Sequence, residues 1–128
     1  MAPLTVGDVM TRKIIWVRED ETLKDAALKM TTSDVGCVLV LDDDGRCIGI
    51  LTERDFVRLF ANDVESTSLV KDYMTKNPIT VNEMTSIAEA KNIMATHRFR
   101  HLPVTDNSER VIGVLSIRDI VERVQVYI

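Results

Sequence analysis

Displaced by 64 positions, much of this chain falls on itself without a gap. Val6–Phe60 aligns with Val70–Val124, and roughly 19 of the 55 aligned positions are identical. Val6-Gly7-Asp8-Val9-Met10-Thr11 matches Val70-Lys71-Asp72-Tyr73-Met74-Thr75, and Gly49-Ile50-Leu51-Thr52-Glu53-Arg54-Asp55 matches Gly113-Val114-Leu115-Ser116-Ile117-Arg118-Asp119. Ile15, Val17, Ala26, Met30 and Val40 meet Ile79, Val81, Ala90, Met94 and Val104. A constant offset over that length is the signature of one structural unit used twice, so any fold must be built from two copies of it.

Each copy reads the same way. A helical turn, Val6–Met10 or Val70–Met74, leads to a brief strand at Ile14–Val17 or Ile79–Val81. The next helix opens with Thr22-Leu23-Lys24-Asp25 or Ser86-Ile87-Ala88-Glu89, a hydroxyl followed three residues on by an acid, which is the capping-box spacing. Leu23, Ala26, Ala27 and Met30 recur at helical period and give it one apolar face. A strand, Cys37–Leu41, turns at Asp42-Asp43-Asp44-Gly45 and returns as Cys47–Thr52 into a helix from Glu53. The second copy follows with Leu102–Thr105, a turn at Asp106–Glu109, Val111–Ser116 and a helix from Ile117. The expected class is α+β, with two β-α-β-β-α repeats at 1–62 and 69–128 and a polar linker at 63–68. About 60 residues bury too little surface to stand alone, so the repeats are expected to pack as one module around a pseudo-twofold axis.

Composition narrows the function. Hydrophobic residues are 45% and charged residues 28%, as in soluble globular chains. Aromatics are only 5%, so the core must be aliphatic. A net charge of −4 and sparse aromatics argue against a nucleic-acid surface, which needs basic and stacking side chains. The longest apolar run, Val35–Leu41, falls far short of the roughly 20 residues that span a bilayer. No export signal is visible, so the expected location is cytoplasmic. If Leu41 lies opposite Cys47, then Cys37 faces Leu51 and the two thiols stand about 13 Å apart along the ladder, too far for a disulfide.

Two copies each ending in Gly-hydrophobic-x-Thr/Ser-x-x-Asp, with Asp-Val-Met-Thr and Asp-Tyr-Met-Thr openings and Arg100-His101-Leu102-Pro103-Val104, resemble the tandem cystathionine β-synthase (CBS) domain pair, or Bateman module, over essentially the whole chain. The resemblance implies a regulatory module that binds AMP, ADP, ATP or S-adenosylmethionine between its repeats. It also implies a flat homodimer of four CBS domains. An output through an effector protein in trans is the matching expectation, and a protein-interaction or scaffolding module without a ligand is the alternative.

The resemblance points to Thr52 and Asp55, and to Ser116 and Asp119, as ribose and phosphate contacts at the strand-to-helix junctions. On local sequence alone both pairs are simply capping boxes, and the two roles are compatible. It also points to Arg98, Arg100 and His101 for phosphate, with Leu102 and Pro103 walling the base and Arg118 as a further cation. Taken by itself, that basic run at a helix C-terminus complements the helix dipole. Lys13 and Ile14, with Asn77, Pro78 and Ile79, are expected to line the clefts. Repeat one departs from the pattern: Asp34, Gly36, Cys37 and Leu39 stand where repeat two has Arg98, Arg100, His101 and Pro103. The Asp119 site is therefore expected to bind first.

No nucleophile elbow or phosphate-cradling glycine loop is present, so no enzyme and no catalytic cofactor are expected. The Asp42–Gly45 turn lacks the alternate-acid spacing of a calcium loop, and a magnesium ion is expected only in company with a bound nucleotide. The last helices are apolar on more than one face, through Phe56, Val57, Leu59, Phe60 and through Ile120, Val121, Val124, Val126, Tyr127, Ile128, which suits a dimer interface.

Overall fold

The computed structural model describes residues 3–124. Its class is α+β, with two small sheets, one in each of two compact units. The units are not the sequence repeats. One is the continuous stretch Ile15–Pro78; the other joins residues 3–14 to residues 79–124. Each repeat thus gives its opening segment to the unit built mainly from the other repeat.

In the continuous unit, β1 (Trp16–Val17) lies parallel to β2 (Cys37–Leu41), and β2 is antiparallel to β3 (Cys47–Thr52). The sheet order is β1-β2-β3-β4, where β4 (Thr75–Lys76) comes from the opening of repeat two. The helices are α2 (Leu23–Ser33) and α3 (Glu53–Ala61), preceded in the chain by α1 (Val6–Val9) of the other unit. Thr22 caps α2 in a full capping box with Asp25. The 63–68 segment is tied down: its Ser66 and Ser68 carbonyls accept from the Lys24 and Leu23 amides, satisfying helix-end donors that would otherwise lack partners. Val17, Leu23, Ala26, Met30, Val38, Val40, Leu51 and Val70 form the core.

The second unit holds β5 (Val81–Asn82), α4 (Ile87–His97), β6 (His101–Thr105), β7 (Val111–Ser116) and α5 (Ile117–Val124). Sheet order is β5-β6-β7, with the first pair parallel and the second antiparallel. Here α1 supplies Val6 and Val9, and Met10 follows them, to a core shared with Ala90, Met94, Leu102 and Leu115. The Val6 and Gly7 amides donate to Thr85 and Glu83, and Ile87 donates to Leu4.

Several expectations shift. The brief strands begin later than Ile14 and Ile79, at Trp16 and Val81, because the preceding residues are the connections themselves: Thr11 still pairs with Val114, and the Asn77 amide still donates to Ile48. Cys37 faces Thr52, not Leu51, because the ladder slips between Val40 and Leu41 and leaves Ile48 unpaired there. Both cysteines remain free, and burial pushes their thiols up to about 12 and about 11. Helix α3 buries no residue fully, with Val57 at 70% and Phe60 at 86% exposure. Val126, Tyr127 and Ile128 lie outside the described residues.

Candidate functional site

Parallel entry of β5 beside β6, and the antiparallel return of β7, bring three segments to one edge of the discontinuous unit. They are Ile79–Thr80, which precede β5; Arg100 and His101 at the start of β6; and Ser116 to Asp119 at the junction of β7 and α5. His101 is in register with Ser116, and the Ile117 amide donates to the Arg100 carbonyl at 2.9 Å. The Ser116 amide donates to Asp119 Oδ2 at 3.1 Å, and the Asp119 amide donates to Ser116 Oγ at 3.0 Å. Capping therefore occupies Oδ2, while among the described residues no hydrogen bond or ion pair engages Oδ1. The Ile117 and Asp119 amides are both engaged within the protein, so the helix end offers phosphate less than the sequence suggests.

The continuous unit repeats this with Ile15, Gly36–Cys37 and Thr52 to Asp55. The Glu53 amide donates to Gly36 at 3.0 Å, and Thr52 and Asp55 form the reciprocal box. The difference is electrostatic. Arg58 stands 3.9 Å from Asp55 Oδ1, whereas at the matching place in α5 Glu122 holds the Arg118 guanidinium at 3.0 Å. Helix charge spacing of three and four could have revealed both pairs in the sequence.

Arg98 and Asp34 occupy equivalent C-caps, with left-handed φ of 57° and 53°, each held by amide donation back into its helix. Arg98 and Arg100 are exposed; His101 is half-buried. Next to Arg98, His97 and Phe99 stack with ring centres 5.2 Å apart. Leu102 is wholly buried and Pro103 nearly so, leaving only backbone to face a ligand there.

The connecting segments are each anchored within a unit before they leave it. Asn77 follows the Lys76–Gly49 pair and donates to Ile48, which puts it toward the start of β3, away from Thr52. Thr11 pairs with Val114, which anchors the segment just before Lys13 and Ile14 on β7. An open cavity of about 380 Å³ beside Asn77 is lined also by Glu19, Ile48, Lys71, Met74 and Lys76. Among the described residues no cluster of three or more potential ligands could hold a metal, and no helix is long and apolar enough to cross a membrane.

The CBS domain family profile matches residues 6–62 and again 70–126. An uncharacterized 17.7 kDa protein of Acidianus ambivalens is 37% identical over 90% of this chain and 70% of its own length. Inosine-5'-monophosphate dehydrogenase of Methanocaldococcus jannaschii is 32% identical over 91% of this chain, which spans only 23% of that enzyme. A CBS domain protein of Pyrobaculum aerophilum, solved as its complex with AMP, superimposes with a TM-score of 0.89 at 25% identity, covering 97% of this chain and 96% of that one.

Proposed function

Because the chain belongs to the CBS domain family and carries the domain twice, we propose that it is a regulatory module that binds an adenosine-containing nucleotide: AMP, ADP, ATP or S-adenosylmethionine. The observation that carries this reading is the division of labour on the junction carboxylates. One oxygen of Asp119 caps α5, and the other is left at the same edge as Arg100 and His101. An ionised carboxylate only accepts, which suits the two hydroxyls of a ribose, while the arginines suit phosphate. The complex of the Pyrobaculum relative with AMP supports the same ligand class.

The Asp119 junction binds first. The Asp55 junction has an acid, Asp34, at the cap where the other has Arg98, and the anionic phosphate is less welcome there. Ligand binding shifts the population of conformers and thereby a surface read by a partner protein in trans. That surface includes the apolar exposed face of α3, Val57 and Phe60, and in a homodimer of four CBS domains it would lie against or beside the second copy. ATP or ADP would bring its magnesium with it, and the cytoplasm, where these nucleotides are abundant, is the proposed location.

Calorimetric titration with each of the four ligands tests the reading. Micromolar binding of one of them, abolished in Asp119→Asn, is expected; Asn keeps an oxygen for the cap but loses the charge. Silence from all four up to about 1 mM, a binding free energy no better than about −4 kcal/mol, would instead favour an interaction module working through the α3 face.

A further inference from the structure

Helix α1 is only four residues long, Val6–Val9, and its last carbonyls have no partner within it. The Arg123 guanidinium, on the last turn of α5, donates from the same nitrogen to the Val9 carbonyl at 2.9 Å and the Met10 carbonyl at 3.0 Å. A cation at a helix C-terminus meets both orphan acceptors and the negative end of the helix dipole. The contact joins residues 113 and 114 positions apart in sequence.

The two units solve the same problem differently. In the continuous unit the incoming segment is held by a ladder, β4 pairing Thr75 and Lys76 with Ile50 and Gly49. In the discontinuous unit the equivalent segment has a single bridge, Thr11 with Val114. Arg123 occurs only there; the matching residue of the other unit is Leu59, packed against the core.

We infer that Arg123 is a positioning residue. It replaces the missing ladder, fixes the end of α1, and sets the course of Thr11–Ile14 as the chain leaves the unit. Because Asp119 lies in the first turn of α5, the same helix carries the proposed nucleotide contact at one end and the clamp on the connection at the other. This second step rests on the nucleotide reading; the clamp itself does not.

The experiment is hydrogen exchange on the full chain carrying Arg123→Leu, the residue of the other unit, and Arg123→Lys, with and without AMP. Without ligand, Arg123→Leu should speed exchange of peptides covering Val9–Ile14 by tenfold or more. Peptides covering α4 and β6 should stay within twofold of wild type, and Arg123→Lys should recover part of the loss. Equal acceleration everywhere would mean a merely structural role, and no acceleration at Val9–Ile14 would remove the clamp; either overturns the inference. With AMP, protection of Val9–Ile14 should rise in wild type and fail to rise in Arg123→Leu. A wild type that binds AMP yet shows the same rise in both proteins would overturn the coupling. A wild type that binds none of AMP, ADP, ATP and S-adenosylmethionine would overturn both the coupling and the nucleotide reading, leaving the clamp to the ligand-free arm.

Discussion

Helices α3 and α5 begin with the same capping box and the same Arg-Asp pair, yet their next turns diverge. Arg58-Leu59 in one faces Glu122-Arg123 in the other. In α3 the cation sits near the junction carboxylate and the leucine packs inward. In α5 an acid takes up Arg118, and the following arginine reaches the end of α1. Duplication supplied the scaffold, and two adjacent substitutions gave the copies different electrostatics and different means of holding the incoming chain.

The largest test of that difference is in the cores. Leu51 and Leu115 are equivalent and wholly buried, so Leu51→Ala and Leu115→Ala should each cost about 3 kcal/mol, within the usual range for a leucine cavity. Denaturant unfolding of both variants would show whether the continuous and discontinuous units fail equally. A loss confined to one variant would mean that the duplicated cores are not energetically alike.

The glycines beneath the two incoming segments sharpen the comparison further. A Cβ at Gly49 would meet the Met74 sulfur and Cγ, the flexible part of a side chain. A Cβ at Gly113 would stand 2.7 Å from the Thr11 carbonyl as well as from the Met10 sulfur. Backbone pinned by the Thr11–Val114 bridge cannot yield as a methionine can. Gly113→Ala should therefore cost more than Gly49→Ala, by about 1–3 kcal/mol of overpacking, measured as a difference in urea midpoints. Equal costs would mean that Thr11 is loosely held.

A smaller contrast lies in pH. Asp8 in one unit and Asp25 in the other have carboxyls held below their usual range, chiefly by backbone donation from Thr5 and Thr22 and then by the threonine hydroxyls. Folded values below the unfolded 3.8 mean stability that is present above about pH 4 and fades as pH falls further, in both units alike. At the alkaline end residues 15–78 should respond, since Cys37 and Cys47 both lie there. Burial raises their folded values above the unfolded 9.0, so stability is full below pH 9 and falls as pH rises toward 12. Equilibrium unfolding between pH 9 and 11, with Cys37→Ala as control, checks this.

Much of this fold was legible because local chemistry repeats: capping pairs, the Asp-Gly turn and β-branched strands specify elements without knowledge of the partner. The exchange of opening segments was not legible. Val6–Met10 and Val70–Met74 carry the same apolar pattern toward either sheet, and only three-dimensional closure decides which sheet receives them. The register slip at Ile48 was hidden for a related reason, since a bulge depends on the hairpin's twist more than on residue type. At the site, the junction pairs could be found by spacing, whereas Arg123 acts on backbone carbonyls more than 110 positions away, and carbonyls leave no mark in a sequence.

The proposed function turns on charge at two otherwise matching junctions, and one titration addresses it. Whichever of AMP, ADP, ATP and S-adenosylmethionine binds most tightly is titrated calorimetrically into wild type, Asp119→Asn and Asp55→Asn under identical conditions. The account predicts micromolar binding to wild type, lost in Asp119→Asn and retained within a few-fold in Asp55→Asn. Binding lost in Asp55→Asn but retained in Asp119→Asn would contradict it.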